Sequence, residues 1–446
     1  MYKKLFLFLG LVFVVNLSVF SQVNKDFQFH RPNKKSYRIP FVNYKNLIII
    51  KASLNGIPMN LLLDTGVDNT ILFGIEGNEE YIKKNSQKIL IKGVSGKKKT
   101  YAYKSENNTL KIDKLTNASQ DVYLIFDKDF NISDKIGYQV QGIIGYDFFK
   151  DLIVRINYTG NYLKVFNPDR FSRKLKRYDQ FDIKLINQKP YIKTKIKQQN
   201  QAFEDYVFLL DIGSGDAIWL KSLPDQTLPE KSFYDILGYG FADIITGVRS
   251  KAEAFKLGRK TIKTPKVAYP DSLSYKGLAF TSKSGVIGSE IMRRFHWFFD
   301  YANRKVYLKP NSDINDIFNY DMSGLLLKYE GYQAITTYKS LFPDVKTQTD
   351  NRSGYNKIKK PKGNVMVEMQ PILKVGAVRP KSSAFEAGFI AGDKILKING
   401  RSSYRYDLEE LNELLCSREG LEINFVIERN GSQYDKSLVL KSRFLE

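Results

Sequence analysis

Two aspartates in this chain share one setting. Asp64 closes the apolar run Leu61-Leu62-Leu63 and is followed by Thr65 and Gly66; Asp211 closes Phe208-Leu209-Leu210 and is followed by Ile212, Gly213 and Ser214. A carboxylate at the end of a buried strand is costly unless it is hydrogen-bonded or shares its charge. The glycine lets the backbone turn beneath the acid without a Cβ clash. Two carboxyl groups a few Å apart cannot both ionise cheaply, so they hold one proton between them. Such a pair can activate a water and protonate a leaving group.

The composition removes competing chemistries. Cys416 is the only cysteine, so neither an intrachain disulfide nor a Cys-rich zinc site can form in one chain. His30 and His296 are the only histidines, and neither has a Gly-x-Ser-x-Gly partner for a serine triad. His296, within Phe295-His296-Trp297-Phe298-Phe299, reads as a packed strand residue. No metal and no cofactor is expected, and carboxylates remain as the reacting groups.

Each aspartate has an echo downstream. Gly142-Ile143-Ile144-Gly145 ends 81 residues after Asp64, and Gly285-Val286-Ile287-Gly288 ends 77 after Asp211. Asn157-Tyr158 and Asp300-Tyr301 follow, each before a short turn and an apolar strand. Four landmarks in one order make an internal repeat. In each half, strand, turn and strand deliver the acid, as in Leu47 to Leu54, Asn55-Gly56 and Met59 to Leu63. The glycine pairs bring a second chain past the back of the acid loop, where a side chain would collide.

The pattern resembles the bilobed aspartic peptidases, pepsin-like or retropepsin-like, and in organisation the bacterial aspartyl-protease-family proteins with a C-terminal PDZ domain. The resemblance implies a mainly β fold, a pepsin-like double β-barrel, with Asp64 and Asp211 catalytic and Thr65, Gly66, Gly213 and Ser214 supporting them. It places a β-hairpin flap at Gly93, Val94, Ser95 and Gly96. The family's usual residue between Asp and Gly is threonine, and the two threonines bond across the lobes. Ile212 departs from this, which leaves a catalytically degenerate peptide-binding protein as the alternative. The Ser214 hydroxyl, matched by Val67 in the first copy, is expected to donate to Asp211, so that Asp211 carries the charge and Asp64 the proton.

Past Asp321 the character changes. Ser382-Ser383-Ala384, Ala387-Gly388, Gly392-Asp393 and Asn399-Gly400 resemble a bacterial PDZ domain. The resemblance implies an α+β fold with a groove where an extended peptide adds a strand. Leu408, Leu411, Leu414 and Leu415 recur at helical spacing, with Asp407 and Glu410 as an N-cap pair and Gly420 as the stop. A carboxylate-binding loop is expected near Met322 to Leu327.

The expected division is a signal peptide over 1–21, lobes over 22–170 and 171–318, and the PDZ domain over 319–446 with an inserted loop at about 340–364. Lys3 and Lys4 precede an apolar run from Leu5 to Phe20, and Val19-Phe20-Ser21 resembles a cleavage site. The expectation is export across the inner membrane to the periplasm or beyond, with no transmembrane helix left after signal removal. The formal net charge is +23, but the lysines are spread along the chain. Nucleic acid is not expected; the expected partners are a peptide or protein substrate and a peptide in the PDZ groove.

Overall fold

The computed structural model describes residues 26–443 apart from 74–85, 93–98, 128–129, 131, 173–174, 222–227, 241–243, 272–282 and 341–362. The expected signal peptide and the flap residues Gly93, Val94, Ser95 and Gly96 lie outside the described residues. The flap's two flanking strands are described: Gln87–Lys92 pairs antiparallel with Lys99–Ile112.

The halves repeat one strand plan. In the first, Leu47–Leu54 returns as Ile57–Leu63 through an Asn55-Gly56 turn whose two residues both have positive φ. Asparagine and glycine are the residues that tolerate this. Ile57–Leu63 lies parallel to Gly142–Ile144, which lies antiparallel to Thr70–Phe73, which lies parallel to Leu115–Ile125. In the second, Lys189–Lys197 returns as Phe203–Asp211. That strand lies parallel to Ser284–Gly288, which lies antiparallel to Ile218–Leu220, which lies parallel to Lys266–Pro270. Both acid-bearing strands therefore sit inside a sheet, with a parallel neighbour fixing where they end.

A third sheet joins the halves. Its order is Asp179–Asp182, Lys305–Pro310, Phe295–Asp300, Ile153–Asn157, Tyr162–Phe166 and Ser36–Pro40, three strands from each half. The seam pairs Val154 with Phe299. Phe148, Phe149, Trp297 and Phe299 are fully buried around this seam, with Phe149 against Phe299 and Trp297 stacked on Phe299. Each such side chain contributes roughly 1.5–3 kcal/mol by leaving water. This packing holds the two acid loops in one frame.

The C-terminal part has its own core. Its sheet runs Leu325–Ser340, Gly363–Val378, Lys394–Ile398, Glu422–Arg429 and Ser432–Val439. The helix Leu408–Leu415 opens with the capping box expected from Asp407 and Glu410, and Leu408, Leu411 and Leu415 are buried. The first two strands pair out to Ser340 and Gly363, so both ends of the loop expected at about 340–364 are strand, and its remainder, 341–362, lies outside the described residues.

This part docks on both halves. Arg379, 1% exposed, donates to Asp235 Oδ1 at 2.9 Å. The Lys45 backbone N–H donates to Glu409 on the helix. Leu408 packs against Gly137, where a Cβ would lie 2.6 Å from Leu408 Cδ1.

Candidate active site

The two apolar strands deliver their acids to adjacent loops. The carboxyl groups of Asp64 and Asp211 lie within hydrogen-bonding reach of one another. Each accepts the N–H two residues on, Gly66 to Asp64 Oδ1 at 2.6 Å and Gly213 to Asp211 Oδ1 at 2.9 Å. The glycines also make the room. A Cβ on Gly213 would lie 2.2 Å from the Asp64 carboxyl carbon, and one on Gly66 would lie 3.1 Å from that of Asp211. Behind the loops, a Cβ on Gly145 would meet the Asp64 carbonyl and one on Gly288 the Asp216 carbonyl, each at 2.2 Å.

Thr65 ties the loops together. Its hydroxyl donates to the Leu210 carbonyl at 2.6 Å and accepts the Ile212 N–H at 3.1 Å. Ile212 cannot return the bond; its side chain is fully buried in the apolar core. The Thr65 hydroxyl is nonetheless satisfied as donor and acceptor. The Ile212 carbonyl accepts the Ser289 hydroxyl at 2.9 Å, which in turn lies 3.4 Å from the Tyr158 hydroxyl.

Burial raises the pKa of both carboxyl groups, most for Asp64, which also feels the Asp211 charge. Asp211 is held lower by the hydrogen bond from Asp64 and by the Gly213 and Ser214 backbone N–H groups. The two environments therefore favour the proton on Asp64 and the charge on Asp211. The expected donor was the Ser214 hydroxyl; instead the Ser214 N–H, which donates to the Asp211 backbone carbonyl at 3.4 Å, is the group of that residue that favours the Asp211 anion. A backbone N–H is aimed by the turn itself, whereas a hydroxyl must also adopt one rotamer.

Both acids line a cavity of about 1340 Å³. Leu62, Val67 and Ile143 face it from one half and Leu209, Trp219 and Val286 from the other. Lys189 also lines it, and its positive charge favours ionisation of both acids. Nothing in the sequence pattern marked Lys189 out from the other lysines. Sequence reasoning also missed Asp216, which ends the second acid loop. Its carboxylate binds Trp219 Nε1 at 2.9 Å, Arg249 Nη1 at 3.1 Å and Lys266 Nζ at 3.3 Å, and these cations hold its pKa far below the usual range. Arg249 Nε then donates to Asp235 Oδ2 at 2.6 Å, and Asp235 meets Arg379. A buried chain of alternating charges thus runs from the acid loop to the C-terminal part.

Residues 50–148 match a family model described as aspartyl protease, and residues 374–429 match one described as PDZ domain. No curated protein matches the chain. The chain carries an aspartyl protease domain and a C-terminal PDZ domain on a mainly β architecture.

Proposed function

We propose that the protein is an aspartic endopeptidase that cuts extended polypeptide between Asp64 and Asp211. The observation that carries this reading is the pair of carboxyl groups in mutual hydrogen-bonding reach, on loops from two copies of one strand plan, lining an apolar-walled cavity. The apolar walls favour substrates with apolar side chains beside the cut bond.

The chemistry follows from one proton shared by two acids. Ionised Asp211 takes a proton from a water as the water oxygen bonds to the scissile carbonyl carbon. Protonated Asp64 gives its proton to the carbonyl oxygen, leaving a neutral tetrahedral diol. Asp211 then passes its proton to the amide nitrogen, the C–N bond breaks, and one diol hydroxyl returns a proton to Asp64. The pair ends as it began.

Support for a working site over a binding-only relative comes from Thr65. Its hydroxyl makes both bonds to the opposite loop, so Ile212 leaves no unpaired group at that contact. The apolar run from Leu5 to Phe20 supports the reading that the chain is exported and acts outside the inner membrane. Among the described residues no helix is long and apolar enough to cross a membrane.

The test is incubation of reduced, alkylated β-casein with the wild-type chain and with Asp64→Asn/Asp211→Asn, followed by mass spectrometry. Internal cuts by the wild type alone support the reading. Casein held but uncut by both chains would make this a binding protein.

A further inference from the structure

The cavity that holds the two acids is not walled by the peptidase halves alone. Leu326 of the Leu325–Ser340 strand and Asn412 and Glu413 of the Leu408–Leu415 helix also line it. Among the described residues, Leu325–Ser340 pairs as a strand only with Gly363–Val378, and the short helix Ser133–Ile136 packs against it, so its other edge has no strand partner. The helix runs alongside: the Met322 N–H donates to the Leu415 carbonyl at one end, and the Tyr329 hydroxyl to the Tyr406 carbonyl at the other. An unpaired edge beside a helix takes an extended peptide as an added strand.

The end of this groove is already filled. A turn at the head of an edge strand presents successive N–H groups that can cradle a carboxylate. Here Asp321 supplies that carboxylate from within the chain. The Ser323 N–H and hydroxyl donate to its Oδ1 at 3.1 and 2.5 Å, and the Gly324 N–H to its Oδ2 at 2.6 Å. The next N–H, of Leu325, donates to the Ser323 hydroxyl at 3.0 Å. Arg379, the nearest cation, lies 3.6 Å from Asp321 Oδ2. An incoming terminal carboxylate would meet a like charge and find the donors taken.

We infer that the PDZ groove takes an internal extended segment of the substrate rather than its C-terminus, and forms a third wall of the cutting cleft. A segment laid on the Leu325–Ser340 edge continues into the cavity at about 3.3 Å per residue. It needs no chain end, because the site that would read one is closed by Asp321. This deepens the peptidase reading and rests on it for what happens to the held segment; the binding itself requires no cutting.

The test uses the full chain carrying Asp64→Asn/Asp211→Asn, so that peptides are held and not consumed. Fluorescein-labelled dodecapeptides tiling β-casein are made both with a free C-terminus and as the C-terminal amide, and binding is read by anisotropy. For peptides that bind, acid and amide are expected to agree within about twofold in Kd. Asn412→Trp, an exposed helix position facing the groove, is expected to weaken both by about fivefold or more without changing the melting temperature. Asp321→Ala, which empties the cradle, is expected to favour the free acid by about tenfold. A preference of about tenfold for the free acid without the Asp321 substitution overturns the inference, as does absence of binding or indifference to Asn412→Trp. The acid–amide comparison needs no groove variant, so it stands even if a variant misfolds. Failure of the peptidase reading shows separately, as wild-type chain that binds these peptides and leaves them whole.

Discussion

The Thr65 hydroxyl accepts the Ile212 backbone N–H at 3.1 Å while donating to the Leu210 carbonyl at 2.6 Å. One side chain of the first half thus satisfies two backbone groups of the second, at the base of the acid pair. Thr65→Val keeps the shape and removes both bonds. It leaves a buried N–H and a buried carbonyl unpaired, at about 1–3 kcal/mol each. The expected result is a lower melting temperature and a fall in kcat larger than any change in KM, read from thermal unfolding and casein-peptide kinetics.

The acid pair makes stability depend on pH. Burial raises both native pKa values above the unfolded aspartate value of about 3.9. A raised carboxyl means that the native state binds more protons than the unfolded chain. Its stabilising contribution is full below about pH 3.9 and is lost as pH rises through the native values. Asp64→Asn removes the group with the larger rise. Its melting temperature should match wild type in acid and exceed it increasingly towards neutral pH. A difference that stays constant across that range would contradict the assignment of the proton to Asp64.

Ser214 separates two sources of the asymmetry. Its backbone N–H, not its hydroxyl, favours the Asp211 anion. Ser214→Ala keeps the N–H, so the acidic limb of the pH–rate profile should stay in place. A limb displaced to higher pH would return the role to the hydroxyl.

The docking of the PDZ domain depends on Arg379, whose guanidinium joins Asp235 to the Asp321 carbonyl. Arg379→Met leaves these buried acceptors short of a donor, and breaking a buried pair costs up to about 3–5 kcal/mol. Asp235 keeps Arg249, so the second half should still fold. The expected outcome is earlier thermal unfolding of the PDZ domain and faster trypsin cleavage between the two parts, with the acid pair intact. Unchanged unfolding and cleavage would show that the interface is held elsewhere.

The acid loops were legible because their determinants are local. An apolar strand, an acid and a glycine are read in sequence, and Gly142, Gly145, Gly285 and Gly288 marked close backbone approaches that a Cβ would meet at 2.2–2.5 Å. The capped helix at Asp407 was legible for the same reason. What pairs residues from distant segments was not. Asp216, Arg249, Asp235 and Arg379 look like ordinary surface charges in a lysine-rich chain, and only the fold buries them together. The closed cradle at Asp321 was hidden similarly: Met322 to Leu327 was expected to receive a carboxylate, but not one from its own loop.

The central claim is that Asp64 and Asp211 act as one unit on one bond. The most direct measurement is the cleavage rate of a single casein-derived peptide by Asp64→Asn and by Asp211→Asn, each alone. If the acids share one proton, removing either removes the unit, and both rates should fall by about 10²–10⁴-fold or more with peptide binding retained. If either single variant cuts at close to the wild-type rate, the bond is broken by some other group and the account is wrong.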